Sequence, residues 1–95
     1  MNSLWTALCR HAASRPNDPA LLCYAGSVHV AYTWVQMMEA VSRLSEQLRQ
    51  DGVEVAALHG ANSPGWVIVD LACHLAGIVL IPLPDFFSPE QLRHV

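Results

Sequence analysis

The sequence predicts an α/β chain in which a β-hairpin and helices precede a parallel βαβ unit. Three observations carry that expectation. Apolar residues recur at helical spacing over 4–12 and again over 34–48. Two short apolar runs flank Ala25-Gly26-Ser27, which is turn chemistry. A capped apolar helix then separates two apolar runs of strand length, an order that favours parallel pairing through a right-handed crossover.

The elements follow in chain order. Leu4, Trp5, Leu8, Cys9 and Ala12 share one helical face, and Arg15-Pro16-Asn17-Asp18-Pro19 stops that helix. Ala20–Tyr24 and Val28–Tyr32 read as the strands of the hairpin. Thr33 begins the longest helix: its hydroxyl caps orphan amides while Gln36, three residues on, reaches back in a capping box. Trp34, Met37, Met38, Val41, Leu44 and Leu48 line its apolar face, with Glu39, Arg43, Glu46 and Arg49 largely opposite. Gly52 stands where a left-handed C-terminal cap belongs.

Val53–Leu58 reads as a buried strand, and His59-Gly60-Ala61-Asn62 as the loop at its C-terminal end. Ser63-Pro64 supplies an N-cap with proline at the first helical position. The helix to Ala76 is apolar nearly all round, which predicts burial on most sides. Gly77 ends it, and Ile78–Ile81 is a β-branched core strand parallel to Val53–Leu58. Ser88-Pro89-Glu90-Gln91 repeats the start of a capped helix.

Ninety-five residues make one compact domain or part of a larger one. A chain that is 53% hydrophobic and 14% charged is not disordered. So much apolar content in a short chain predicts surface meant for cover, on the Trp66-Val67-Ile68-Val69-Leu71 face or on the flank of the Thr33 helix. The net charge of −3 leaves no basic footprint for nucleic acid. Lysine is absent, which excludes Schiff-base chemistry, a Walker-type phosphate lysine and lysine-centred adenylation within these residues. Cys9, Cys23 and Cys73 form no CxxC pair and read as buried free thiols of a reducing cytoplasm. Met1–Trp5 lacks the basic and apolar regions of a signal peptide. Trp66–Leu83 has the length of a membrane span, but Asp70, His74, Gly77 and Pro82 make it a helix followed by a strand.

Candidate chemistry is sparse. His59-Gly60-Ala61-Asn62-Ser63 joins a strand's C-terminal end to a helix N-terminus, where open α/β sheets bind ligands and free amides suit anions. It has neither GxGxxG nor GxxxxGKS, and helix-start chemistry accounts for Asn62 and Ser63. Asp70 and His74 are four apart, a spacing that orients an imidazole for base catalysis or simply pairs two surface side chains. Cys73 and His74 point about a hundred degrees apart and do not share a metal; Cys9 and His11 fail similarly. His11, His29 and His94 have no local partner that suggests chemistry. Trp34, Met37 and Met38 suit an acyl-chain groove, but a Met and aromatic stripe at helical spacing reads first as core. No catalytic, cofactor-binding or metal-ligating residue is assigned.

The order of these elements, with their particular residues, resembles the N-terminal part of the adenylate-forming superfamily: acyl-CoA synthetases, luciferases and nonribosomal-peptide adenylation domains. Leu4-Trp5-Thr6-Ala7-Leu8 and Arg15-Pro16-Asn17-Asp18-Pro19-Ala20-Leu21 resemble its opening helix and the Pro-x-x-x-Ala-Leu approach to the first strand. Val30-Ala31-Tyr32-Thr33-Trp34-Val35 resembles the first core motif, with Ala31 and Trp34 in place of the usual Thr and Glu. Asn62-Ser63-Pro64-Gly65-Trp66 resembles Asn-Ser-x-Glu-Trp, with Gly65 where Glu is common. Leu75-Ala76-Gly77-Ile78-Val79-Leu80-Ile81-Pro82-Leu83 resembles the second core motif, and Ser88–His94 the helix after it. The Gly52–Ala56 connection is shorter than the family's.

The resemblance implies that residues 1–95 are a partial N-terminal AMP-binding domain, incomplete at the C-terminal end. The parent would be an acyl-CoA synthetase-like ligase of fatty acid metabolism, forming an acyl-adenylate from a carboxylate and ATP with Mg²⁺. It would then pass the acyl group to the thiol of CoA or a carrier-protein pantetheine. The family's phosphate loop, ATP-contacting motifs and C-terminal lysine fall beyond Val95, so these residues imply a scaffold that is inactive alone. The expected partner is the remainder of the adenylating enzyme, or a self-associated copy, in the cytoplasm and without a transmembrane segment. The alternative is a naturally truncated, non-catalytic module that pairs with another chain.

Overall fold

A computed structural model describes residues 3–59 and 63–83. Its elements are α1 (Ser3–Ser14), β1 (Pro19–Ala25), β2 (Ser27–Thr33), α2 (Trp34–Gln50), β3 (Val55–His59), α3 (Pro64–Ala76) and β4 (Val79–Leu83). They form the expected α/β arrangement: β1 and β2 pair antiparallel, and β3 and β4 pair parallel on either side of α3. Gly26 makes the hairpin turn at φ 80°, a backbone region that glycine adopts without steric cost. A register shift between Pro19 and Leu22 bends the start of β1.

β3 begins later than the run of apolar residues, and the end of α2 explains why. The amides of Asp51, Gly52 and Val53 donate to the carbonyls of Gln47, Arg49 and Leu48, closing the helix around Gly52 at φ 69°. Val53 is therefore spent on terminating α2, and the strand starts at Val55. At the other end β3 takes in His59, which the sequence places in the loop. β4 likewise continues through Pro82, which a strand unpaired on its other edge among the described residues tolerates.

The N-terminus of α2 is capped twice. The Thr33 Oγ1 accepts from the Gln36 amide at 3.4 Å, and the Gln36 Oε1 accepts from the Thr33 amide at 2.9 Å. The amides of Trp34 and Val35 donate to the carbonyls of Asp18 and Pro16, each at 3.0 Å, so the segment after α1 completes the cap. Thr33→Ala is expected to cost about 1 kcal/mol, read as a lower urea midpoint at unchanged slope.

The core lies where α2 crosses α3. Met37, Met38 and Val41 from α2 and Ile68 and Ala72 from α3 are buried together. Trp34, Leu44 and Leu48 pack against them, as the helical stripe predicts. Trp5, Leu8 and Ala12 of α1, with Leu21 and Tyr32 of the hairpin, close the cluster.

Three expectations need correcting. On α1, Leu4 is 45% exposed and Cys9 is exposed, because the helix leans on α2 through the narrower stripe of Trp5, Leu8 and Ala12. On α3, only Ile68, Ala72 and Cys73 are buried; Trp66, Val67, Val69 and Leu71 are half-buried, since α2, β4 and β1 cover only part of its circumference. The exposed apolar surface is therefore not the α3 face. It lies mainly on the strands, at Leu22, Tyr24, Val28 and Val30 and at Val55, Val79 and Ile81, with Val35 on the α2 flank. On β3 the pleat sends alternate side chains away from the helices whatever their hydrophobicity, whereas Ser27–Val30 of β2 are all exposed. The Gly60–Asn62 loop and the helix expected from Ser88 lie outside the described residues. Among the described residues, no helix is long and apolar enough to cross a membrane.

Candidate functional site

The place to look for chemistry is the junction of β3 and α3, where a strand's C-terminal end meets a helix N-terminus. Ser63 caps α3: its Oγ accepts from the Trp66 amide at 3.2 Å, and its carbonyl accepts from the Val67 amide at 3.3 Å. Pro64 at the first helical position has no N–H. Of the first amides of α3, only that of Gly65 is left without a partner among the described residues. One donor is a poor cradle for a phosphate, which binds where several N–H groups converge.

A groove of about 530 Å³ runs beside this cap, lined by Leu21, Leu22, Cys23 and Tyr24 of β1 and by Ser63, Pro64 and Val67. Its walls are mostly apolar and hold no cation. The sequence gives no local sign of it, because its two walls come from segments about forty residues apart that meet only in the fold.

The arginines of the described residues are elsewhere. Arg15 holds Asp18 at 3.0 Å. Arg49 reaches Glu46 at 3.6 Å and donates to the Leu75 carbonyl at 3.3 Å, at the opposite end of α3 from the cap. Arg10 and Arg43 are exposed on α1 and α2. Asp70 and His74 are both exposed, and neither a hydrogen bond nor an ion pair joins them. They read as surface side chains of α3. Among the described residues, no cluster of His, Cys, Asp and Glu could hold a metal ion.

The cysteines separate by environment, contrary to the expectation that all three are buried. Cys9 is exposed, Cys23 is partly exposed in the groove wall, and Cys73 is buried. Burial pushes the Cys73 thiol above its ordinary range, and the Asp70 carboxylate adds to the rise. Since the thiolate is the nucleophile, alkylation by iodoacetamide should proceed in the order Cys9, Cys23, Cys73. Peptide-level mass spectrometry of a time course reads this directly. Cys73 reacting first would contradict the packing of α3.

Comparisons with known proteins bear on the whole chain. The family described as "AMP-binding enzyme" matches residues 8–95. Long chain acyl-CoA synthetase 4 of Arabidopsis thaliana is 28% identical over 103 aligned residues, covering 100% of this chain and 16% of that protein. Long chain acyl-CoA synthetase 2 of the same plant is 37% identical over 70 residues, covering 67% of this chain and 10% of the relative. The chain thus spans about a sixth or less of the length of these relatives. Among solved structures, the fatty acid AMP ligase of Legionella pneumophila matches with a TM-score of 0.80 at 18% identity, over 95% of this chain and 16% of that one. The N-terminal subdomain of NpsA from Klebsiella oxytoca matches with a TM-score of 0.75 at 18% identity, over 98% and 24% respectively. With βαβ unit, capped helices and hairpin in the order the motifs require, the chain belongs to the AMP-binding enzyme family, as an N-terminal segment of the adenylate-forming fold.

Proposed function

We propose that this chain is a scaffold segment of an ATP-dependent carboxylate-activating ligase of acyl-CoA synthetase type, and is inactive by itself. The observation that carries the reading is one of extent. The family match fills residues 8–95, while the chain spans only 16% of a long-chain acyl-CoA synthetase relative. The names of the relatives favour a long-chain fatty acid as the carboxylate and CoA as the acceptor thiol, hence a place in fatty acid metabolism.

The described residues do not fit ATP or Mg²⁺ themselves. Among the described residues, the first turn of α3 offers only the unpartnered Gly65 amide, the groove beside it is lined by no cation, and no carboxylate or imidazole cluster stands ready for a metal. Adenylation needs donors and cations aimed at the phosphates, commonly with a metal. Those groups would come from the rest of a longer enzyme. The role of this segment is then mechanical: α2, α3 and the parallel pair hold one flank of the substrate-binding domain in shape.

Three measurements test this. The 95-residue chain should give no ATP–pyrophosphate exchange above a buffer blank with any carboxylate, and no ATP heat by calorimetry. Exchange that disappears in Asn62→Ala or Ser63→Ala would overturn the reading and make the junction a phosphate site. The reading frame after Val95 should continue into a Ser/Thr/Gly-rich loop. A stop codon there would favour the second reading, a non-catalytic module that pairs with another chain, for which the exposed apolar residues of the strands also speak.

A further inference from the structure

The register of the hairpin sets Cys23 of β1 directly opposite His29 of β2. Cross-strand partners point to the same face of a sheet, with Cβ atoms about 4.5–5.5 Å apart. The turn at Gly26 thus holds a thiol and an imidazole side by side. Cys23 is half-buried and His29 is exposed. Neither side chain makes a hydrogen bond or an ion pair with another described residue, so the sulfur and both ring nitrogens are uncommitted. Among the described residues no third His, Cys, Asp or Glu stands near enough to complete a metal site. The pair therefore reads as a nucleophile and its base. Cys23 also lines the groove of about 530 Å³, a volume within the range of about 300–1,000 Å³ usual for small-molecule sites. Among the described residues the groove takes its walls from β1 and the start of α3 and none from β2, so the thiol stands between the imidazole and the groove. Leu21, Leu22, Pro64 and Val67 make that groove apolar, and no charged side chain lines it.

We propose that Cys23 accepts the acyl group of a long-chain acyl thioester, with His29 as base and the groove as the seat of the chain; the choice of that thioester rests on the ligase reading above. The Cys23 sulfur attacks the thioester carbonyl while the His29 imidazole takes the thiol proton. The adduct then collapses: the bond from the carbonyl carbon to the CoA sulfur breaks, and the imidazolium returns the proton to the leaving thiolate. The products are S-acyl Cys23 and free CoA, with nothing oxidised or reduced. The two side chains are not hydrogen-bonded at rest, and such a contact commonly tightens only with the substrate in place. Cys9 is the internal reference. It is more exposed, and the groove it shares with Trp5, Met38, Glu39 and Arg43 has charged walls and no imidazole.

The test incubates the polypeptide, as its reading frame encodes it, with palmitoyl-CoA and follows thioester formation by peptide-level mass spectrometry. Cys23 should take the acyl group at least about tenfold faster than Cys9, reversing the order expected with iodoacetamide, which has no chain to seat. His29→Ala should slow Cys23 at least about tenfold, leave the melting curve and the Cys9 rate unchanged, and be partly rescued by added imidazole. Leu22→Ser, on the exposed rim of the groove, should slow transfer from palmitoyl-CoA but not from acetyl-CoA. Cys9 acylated as fast as Cys23 overturns the proposal, as does a Cys23 rate indifferent to His29→Ala or to chain length. An adduct that resists neutral hydroxylamine is no thioester and overturns it too. Since the acyl-CoA is supplied, ATP–pyrophosphate exchange by the same polypeptide is scored separately. Exchange without acylation of Cys23 sinks this inference alone, and acylation without exchange sinks the ligase reading alone.

Discussion

Val41→Asp is expected to abolish the cooperative fold of the isolated chain. Val41 is fully buried in the middle of α2, against Ile68 and Ala72 of α3. An aspartate there loses the packing of the valine, about 1.5–3 kcal/mol. It also buries a carboxyl with no partner at hand, a defect that costs about 3–5 kcal/mol when a buried charge is left uncompensated. A domain of this length has about 5–14 kcal/mol in total. The loss is therefore of the order of the whole stability. Far- and near-ultraviolet circular dichroism should show no cooperative melt, while Ser42→Asp, one residue on and exposed, should melt like the parent. A Val41→Asp chain that still melts sharply near the parent's temperature would mean that α2 and α3 do not pack as described.

One turn along the same helix the opposite result is expected. Ser45 is 1% exposed, and its Oγ has no hydrogen-bond partner among the described residues, not even the carbonyl of Val41 four residues back. A buried hydroxyl left unpaired costs about 1–3 kcal/mol. Ser45→Ala removes that group at little loss of volume and adds the higher helix propensity of alanine. The melting temperature should rise by about 4–8 °C for each kcal/mol recovered in a domain of this size. A fall in melting temperature would show that the hydroxyl has a partner in solution. Val41 and Ser45 face the same wall of side chains, so the pair isolates polarity from position.

What the residues announced locally, the fold contains. Thr33 and Gln36 form their capping box, Ser63 and Pro64 open α3, and Gly52 and Gly77 end α2 and α3 at positive φ. Each of these depends on hydrogen bonds within a few residues, so the side chains that make them are legible in one dimension. The hairpin and the parallel pair were readable for a related reason: turn chemistry and the order of strand, helix and strand restrict the topology. The candidate site was legible mainly in what it lacks, a glycine-rich phosphate pattern and a lysine.

Cover is another matter. The α3 sequence is apolar on every side, yet only Ile68, Ala72 and Cys73 are buried; Cys9 belongs by spacing to a buried stripe, yet it faces solvent. The groove between β1 and α3 and the unpaired hydroxyl of Ser45 carry no signature in their own neighbourhoods. By itself the sequence determined the elements, the caps of α2 and α3 and the direction in which its strands pair, because short-range hydrogen bonding and periodicity suffice for these, while the ends of β3 and β4 shifted with the tertiary fold. Only the tertiary structure decided which apolar faces found a partner, because burial depends on which other element lies within a side chain's reach, and residues far apart along the chain settle that.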